Sequence, residues 1–200
     1  MSLFESYERR IDQIVPVLEK YGIKDLEEAK AISACAETCG KTITVHFALD
    51  TGMSRIGFAC NGKAAEEIRK AAGLPGIYAE GIFSHFAMSD AVDKTYARFQ
   101  AENFRRMLEM IGVDFPVRHL YNSAAIVELE PEFDMAREGI ILYGLNPSDE
   151  VDISRIGGVK PAMALRSHVS MVKTVPAGTP VSYGCTYVTE KETVIATVMA

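Results

Sequence analysis

Short apolar, β-branched runs alternate with longer amphipathic runs from about residue 11 to about residue 145, and this alternation limits the fold more than any other feature. It is the pattern of repeated strand–helix–strand units around a parallel sheet. Strands are predicted for "IDQIVPVL" (11–18), "TITVHFAL" (42–49), "GIYAEGIFSHF" (76–86), "VRHLYN" (117–122) and "FDMAREGI" (133–140). Pro16 would break a helix interior, which favours a strand at 11–18. Helices are predicted for "DLEEAKAISACAETCG", "NGKAAEEIRKAAG", "VDKTYARFQAENFRRMLEMIG" and the short "SAAIVEL". The first has Asp25 three residues before Glu28 as a capping box and Gly40 as its stop. In the third, Tyr96, Phe99, Phe104, Met107, Leu108 and Ile111 form an apolar stripe. Five parallel strands do not close an eight-stranded barrel. The chain is therefore either a doubly wound sheet or a barrel whose first strands lie elsewhere.

A second grammar begins near Lys160, after the turn-rich "LYGLNPSDEVDISRIGGVKPA". "LRSHVSMVKTVPAGTPVSYGCTYVTEKETVIATVMA" alternates like strands, holds a Pro-x-Gly turn and has no helical period. It reads as the start of an all-β domain and stops at Ala200 within a strand-like run.

At 200 residues the chain is long enough to bury a full core, and 48% hydrophobic with 24% charged residues is ordinary for a globular protein. A net charge of −6, with no dense Lys/Arg cluster, offers nothing to a phosphate backbone. No apolar run reaches the ~20 residues that span a bilayer, and "MSLFESYERR" is charged where a signal peptide is apolar. We expect a cytoplasmic protein that binds neither nucleic acid nor membrane. Cys35, Cys39, Cys60 and Cys185 form no Cys-x-x-Cys pair and are read as reduced, structural thiols. Cys35 and Cys39 lie four apart on one helix, but no histidine or second pair completes a metal site, and His46, His85, His119 and His168 lack ligand spacing. No metal is expected.

In parallel α/β folds, functional groups collect on the loops after the strands. Those loops carry Asp50-Thr51-Gly52-Met53-Ser54-Arg55, Ser84-His85-Phe86, His119 to Ser123, and Arg137-Glu138-Gly139-Ile140. Each has a purely structural reading. Arg55 could pair with Asp50, His85 and His119 could be hydrogen-bonded rim residues, and Asn122 or Ser123 could cap a helix. Their joint occurrence at successive strand ends favours one shared mouth. A helix opening at Asn122-Ser123 and the unhindered Gly139 amide suit a phosphate.

The segments "DTGMSRIGF", "GIFSHFAMSD", "YNSAAIVE", "FDMAREGIILYGLNPS" and "VKPAMALRSHVSMVKTVPAGTPVSYGCTY" together resemble, in order and spacing, the middle of bacterial alanine racemases. These are pyridoxal-phosphate enzymes with a TIM-type barrel followed by a β domain. "VSYGCTY" favours them over relatives that consist of the barrel alone. The resemblance implies a partial barrel lacking its first strands over residues 1–150, and the connector and first strands of the β domain over 151–200.

By that resemblance Arg55 contacts the cofactor's phenolic oxygen and His85 stacks against its ring. Arg137 faces the pyridine nitrogen with His119 behind it. Asn122 neighbours the ring, while Ser123 and the amides of Gly139 and Ile140 cradle the phosphate. A guanidinium, with a pKa above ~12, does not protonate the pyridine nitrogen, so the ring is a weaker electron sink and quick return of the proton is favoured. The resemblance also implies interconversion of L- and D-alanine for peptidoglycan, with a serine/alanine racemase as an alternative, in a homodimer or higher association.

Departures from the family pattern carry expectations of their own. The family's Schiff-base lysine lies in an early motif that residues 1–40 do not match, since Lys20, Lys24 and Lys30 stand in other contexts. Its second base, a tyrosine of the β domain, would fall in register after Ala200. Racemisation takes two bases. The expectation is thus a racemase fragment, inactive alone, that holds the cofactor without a covalent link. Ala48 stands where many members have a lysine that positions the arginine equivalent to Arg55. The alternative reading is a non-catalytic binding or interaction module derived from a racemase.

Overall fold

The computed structural model describes residues 22–164 and 166–199. The strand expected over 11–18 lies outside the described residues, as does Lys20. The chain forms two compact units, one ending at Pro161 and the other spanning Ala162–Ala200.

The first unit begins with helix α1 (Leu26–Cys39). Asp25 caps it by accepting the Glu28 amide at 2.8 Å, and Glu28 reaches back to the Lys24 amide at 3.0 Å. Gly40 ends the helix in the left-handed region, as the sequence predicts. Strand β1 (Ile43–Asp50), the two-residue β2 (Phe58–Ala59), helix α2 (Gly62–Ala72), strand β3 (Ile77–Phe83), helix α3 (Thr95–Ile111) and strand β4 (Val117–Tyr121) follow. Helix α4 (Ser123–Glu128), with Asn122 as its cap, and the short β5 (Met135–Ala136) complete the sheet region.

The five strands are parallel, in the order β2-β1-β3-β4-β5. Successive long strands are neighbours, and α1 packs on α2 and α2 on α3. A doubly wound sheet would reverse direction and carry helices on both faces. Here Ile43, Val45, Phe47 and Leu49 of β1 share one core with Ala29 and Ile32 of α1, Ala64 and Ile68 of α2, and Phe104 and Met107 of α3. The opposite face carries His46, Phe83 and His119, which contact one another across the strands. This is an arc of a (β/α) barrel, seen from strands whose inner face holds the polar residues. It resolves the alternative left open by the strand count. The fifth strand of this sheet is β2, a two-residue edge that the sequence pattern did not mark.

The stripe on α3 is displaced from its sequence prediction. Its buried positions are Ala97, Gln100, Ala101, Phe104, Met107 and Ile111, whereas Tyr96 and Phe99 are exposed and pack on each other. The Tyr96 hydroxyl instead donates to the Gly52 carbonyl at 2.8 Å.

In the second unit β6 (Val169–Val175) pairs antiparallel with β9 (Thr193–Val198), and β7 (Pro180–Val181) with β8 (Tyr187–Val188). The buried Thr189 hydroxyl ties the Pro-x-Gly turn: it donates to the Pro176 carbonyl at 2.7 Å and accepts the Thr179 amide at 2.9 Å. A short 3₁₀ turn at Tyr183–Cys185 is the helical element of this unit, where the sequence predicts none. Among the described residues no helix is long and apolar enough to cross a membrane, and no cluster of three His, Cys, Asp or Glu could hold a metal.

Candidate active site

The loop after β1 is folded by its own side chains. Asp50 Oδ1 accepts the amides of Gly52 at 3.0 Å and Ser54 at 2.9 Å, so this carboxylate is spent on the loop and is not paired with Arg55. Gly57, at φ +114°, lies so close to β1 that a Cβ would sit 2.8 Å from the Ala48 carbonyl oxygen. The exposed Arg55 makes no ion pair among the described residues. With Ala48, Asp50, Met53, Phe83, Ser84 and His85 it lines a narrow cleft.

Arg137, just after β5, sits at the centre. One terminal nitrogen, Nη1, bonds His119 Nδ1 and donates to the His119 carbonyl at 3.3 Å. The other, Nη2, donates to the Ser84 carbonyl at 2.5 Å and to His85 Nδ1 at 3.1 Å. The guanidinium also lies 5.2 Å from the centre of the Phe83 ring. Its Nε has no acceptor among the described residues.

The electrostatics follow from this packing. Burial, helped by the neighbouring guanidinium of Arg137, pushes the pKa of His119 down to about 3 and that of His85 to about 4. Burial and the like charge of Arg55 lower Arg137 to about 10, still cationic at neutral pH. Both imidazoles are therefore neutral beside a charged guanidinium.

Next to Arg137 a cavity of about 280 Å³ is lined by His85, Asp90, Asn122, Ser123, Gly139, Ile140 and others. Asn122 Oδ1 caps α4 by accepting the Ala125 amide at 3.0 Å and also accepts Ser89 Oγ at 2.7 Å. The structural reading of Asn122 as a cap thus holds alongside its place in the cavity wall. Ser123 Oγ accepts the amides of Gly139 at 2.9 Å and Ile141 at 3.4 Å. The Gly139 amide is consequently engaged by the protein, and the Ser123 hydroxyl keeps its proton to donate at the cavity wall, which Ile140 also lines.

All eight residues singled out in the sequence lie around these two adjoining spaces or, for His119, behind Arg137. Sequence reasoning placed Thr51 and Ser84 on these loops without a role and missed two supporting residues, Gln100 and His46. Gln100 is fully buried, accepts the Ala87 amide at 2.8 Å and donates to the His85 carbonyl at 3.0 Å and to Thr51 Oγ1 at 3.3 Å. Thr51 Oγ1 in turn bonds Ser84 Oγ at 2.7 Å. A polar residue in phase with Ala97, Ala101 and Phe104 was the available signal.

An arc of parallel strands with a cationic guanidinium and neutral imidazole groups at its carboxyl-end mouth, followed along the chain by an antiparallel unit, defines the class: part of a (β/α) barrel joined to a β unit. The sequence profile "Alanine racemase, N-terminal domain" matches residues 8–147, and "Alanine racemase, C-terminal domain" matches residues 162–200. The chain belongs to the alanine racemase family. It is 45% identical over 185 residues to the alanine racemase of Desulfosudis oleivorans, covering 86% of this chain and 47% of that protein. It is 46% identical over 172 residues to that of Desulforamulus reducens, covering 84% and 46%. Among solved structures, Clostridium difficile alanine racemase superposes with a TM-score of 0.78 at 35% identity, covering 98% of this chain and 51% of that one. The Streptomyces lavendulae enzyme gives 0.73 at 36%, covering 87% and 47%. The chain thus spans about half the length of the relatives it matches.

Proposed function

We propose that these residues hold pyridoxal 5'-phosphate for the interconversion of L- and D-alanine, with serine as a second substrate, in a cytoplasmic homodimeric enzyme that supplies D-alanine for peptidoglycan. The observation that carries the reading is Arg137: its two terminal nitrogens are fixed by His119, His85 and Ser84, which leaves Nε–H as the donor for a ring nitrogen.

The donor set suits the cofactor. The Ser123 hydroxyl and the Ile140 amide would take the phosphate, while the Gly139 amide, donated to Ser123 Oγ, fixes Ser123 in place. Neutral His85 would lie against the ring, Asn122 would border it, and Arg55 would meet the phenolic oxygen. His119 would act behind Arg137. When bound, pyridoxal phosphate supplies the electron-withdrawing ring that acidifies an amino acid's α C–H. Arg137, as a charged donor with no proton to give up at neutral pH, would keep that ring nitrogen unprotonated, which favours return of the proton to Cα. Ala48 offers no cation or carboxylate to orient Arg55, so Arg55 relies on its own loop.

No lysine or tyrosine lines either space among the described residues. Two-face proton exchange needs two bases, so the 200 residues alone are expected to grip the cofactor without racemising. The test is an absorbance titration with pyridoxal phosphate, then borohydride reduction and intact mass. Saturable binding that Arg137→Ala weakens at least about ten-fold, the loss expected for a charged hydrogen bond, with unchanged mass after reduction, supports the reading. A reduced adduct mapped to one lysine would refute the noncovalent grip. No binding at all would refute the cofactor assignment.

A further inference from the structure

Behind Arg137 runs a hydrogen-bonded chain that crosses three strands. His119 Nε2 lies 2.7 Å from His46 Nδ1, and His46 Nε2 lies 2.9 Å from the Glu80 carboxylate. Its sense is fixed by chemistry. Arginine only donates, so His119 Nδ1 must accept, and the neutral His119 carries its proton on Nε2. That proton is donated to His46 Nδ1, so His46 carries its proton on Nε2, aimed at a group that only accepts, a carboxylate.

The backbone is built to bring these groups together. Between β1 and β3 the register slips at Val45 and His46: Val45 pairs with Ala79 but His46 with Gly81, leaving Glu80 as the extra residue of a bulge. Ile77, Ala79 and Ile82 pack on the helix-side core, so both Glu80 and Gly81 fall opposite His46. Gly81 gives the imidazole its space, since a Cβ there would lie 2.5 Å from His46 Nδ1. His119 is held further by stacking on Phe83, with 5.0 Å between centres and 8° between planes.

We propose that Glu80 and His46 are positioning residues that lock His119 as the Nε2–H tautomer and so present Arg137, with Nε free, toward the bound ring. Neither touches the cavity. The part of this inference that concerns the ring rests on the cofactor reading above, while the tautomer lock stands on the protein alone. The lock also prevents His119 from turning its N–H toward the guanidinium, where two donors would meet and Arg137 would be pushed from its place.

The experiment is ¹⁵N–¹H correlation spectroscopy of the histidine-labelled 200-residue chain and of Glu80→Gln and Glu80→Leu, alongside pyridoxal phosphate titration. The parent chain should show His119 and His46 each as a single Nε2–H tautomer. Leucine removes the acceptor, so His46 and His119 should become tautomeric mixtures and cofactor affinity should fall about ten-fold, as when an outer partner of a liganding histidine is lost. Glutamine keeps a carbonyl acceptor and should restore most of both. An Nδ1–H signal for His119 in the parent, or unchanged tautomers in Glu80→Leu, would overturn the lock. Altered tautomers with unchanged affinity would overturn the link to the ring. If the parent binds no cofactor, the cofactor reading fails, while the tautomer signals still decide the lock.

Discussion

His119 and His85 show how burial sets chemistry at single residues. Their pKa values, about 3 and about 4 against an ordinary 6.5, mean that the native protein refuses protons that the unfolded chain binds between pH 6.5 and 4. Unfolding therefore takes up protons in that window, and stability falls as the solution is acidified through it. The thermal midpoint should be flat above about pH 7 and drop as pH is lowered from 6.5 to 5, a slope that His119→Asn should reduce. A midpoint that rises on acidification over that interval contradicts the burial of neutral imidazoles. Gly81 supports a second expectation. Gly81→Ala places a methyl group against the His46 ring and should cost about 1–3 kcal/mol in urea unfolding, typical of overpacking, while weakening cofactor binding without removing any polar group. Wild-type stability and affinity in this variant would show that His46 has room to spare. Arg55, His85, Asn122, Ser123 and Arg137 could be found in the sequence because loop residues after parallel strands are where chemistry concentrates. Glu80 and His46 could not, because a strand pattern does not reveal a bulge.

Helix α3 is the element on which the loops after β1 and β3 hang. Its buried Gln100 bonds the Ala87 amide, the His85 carbonyl and Thr51 Oγ1. Gln100→Leu keeps the volume and strands those groups, each unsatisfied buried group costing about 1–3 kcal/mol. We expect a loss of about 2–4 kcal/mol by chemical denaturation, with the His85 loop exchanging amide hydrogens faster than β1. Equal protection of that loop in the variant and the parent would sink this assignment. The period of α3 was legible but its phase was not. Aromatic Tyr96 and Phe99 look like core residues, yet packing into the shared core turned Ala97, Gln100 and Ala101 inward. The ends of α1 were legible on both sides, because Asp25 with Glu28 at one end and Gly40 at the other each act within a turn of the end they close and need no tertiary partner.

At the scale of the whole first unit, the described strands form an arc. Its edges, β2 and β5, are two residues each, and Met135, Ile140, Leu142, Tyr143 and Leu145 leave an apolar stretch of 40–62% exposure beside β5. Such a stretch is normally covered. Sedimentation at micromolar concentration should give a species heavier than the 21.9 kDa monomer, and Leu142→Asp with Tyr143→Asp should shift it toward that mass. A compact parent monomer would refute association. The sequence by itself determined the order of the longer strands and helices from residue 26 onward, the parallel sheet, the change to β structure after residue 160, and most residues around the cavity. Each of these rests on short-range periodicity, local capping or motif spacing along the chain. Tertiary structure alone decided that the sheet is an arc wound in one direction, that Gln100 rather than Phe99 faces inward, that Ser123 takes the Gly139 amide, and that Glu80 stands behind His46. These outcomes depend on strand register and on which surfaces meet across 30 or more residues of chain, quantities that no local pattern encodes.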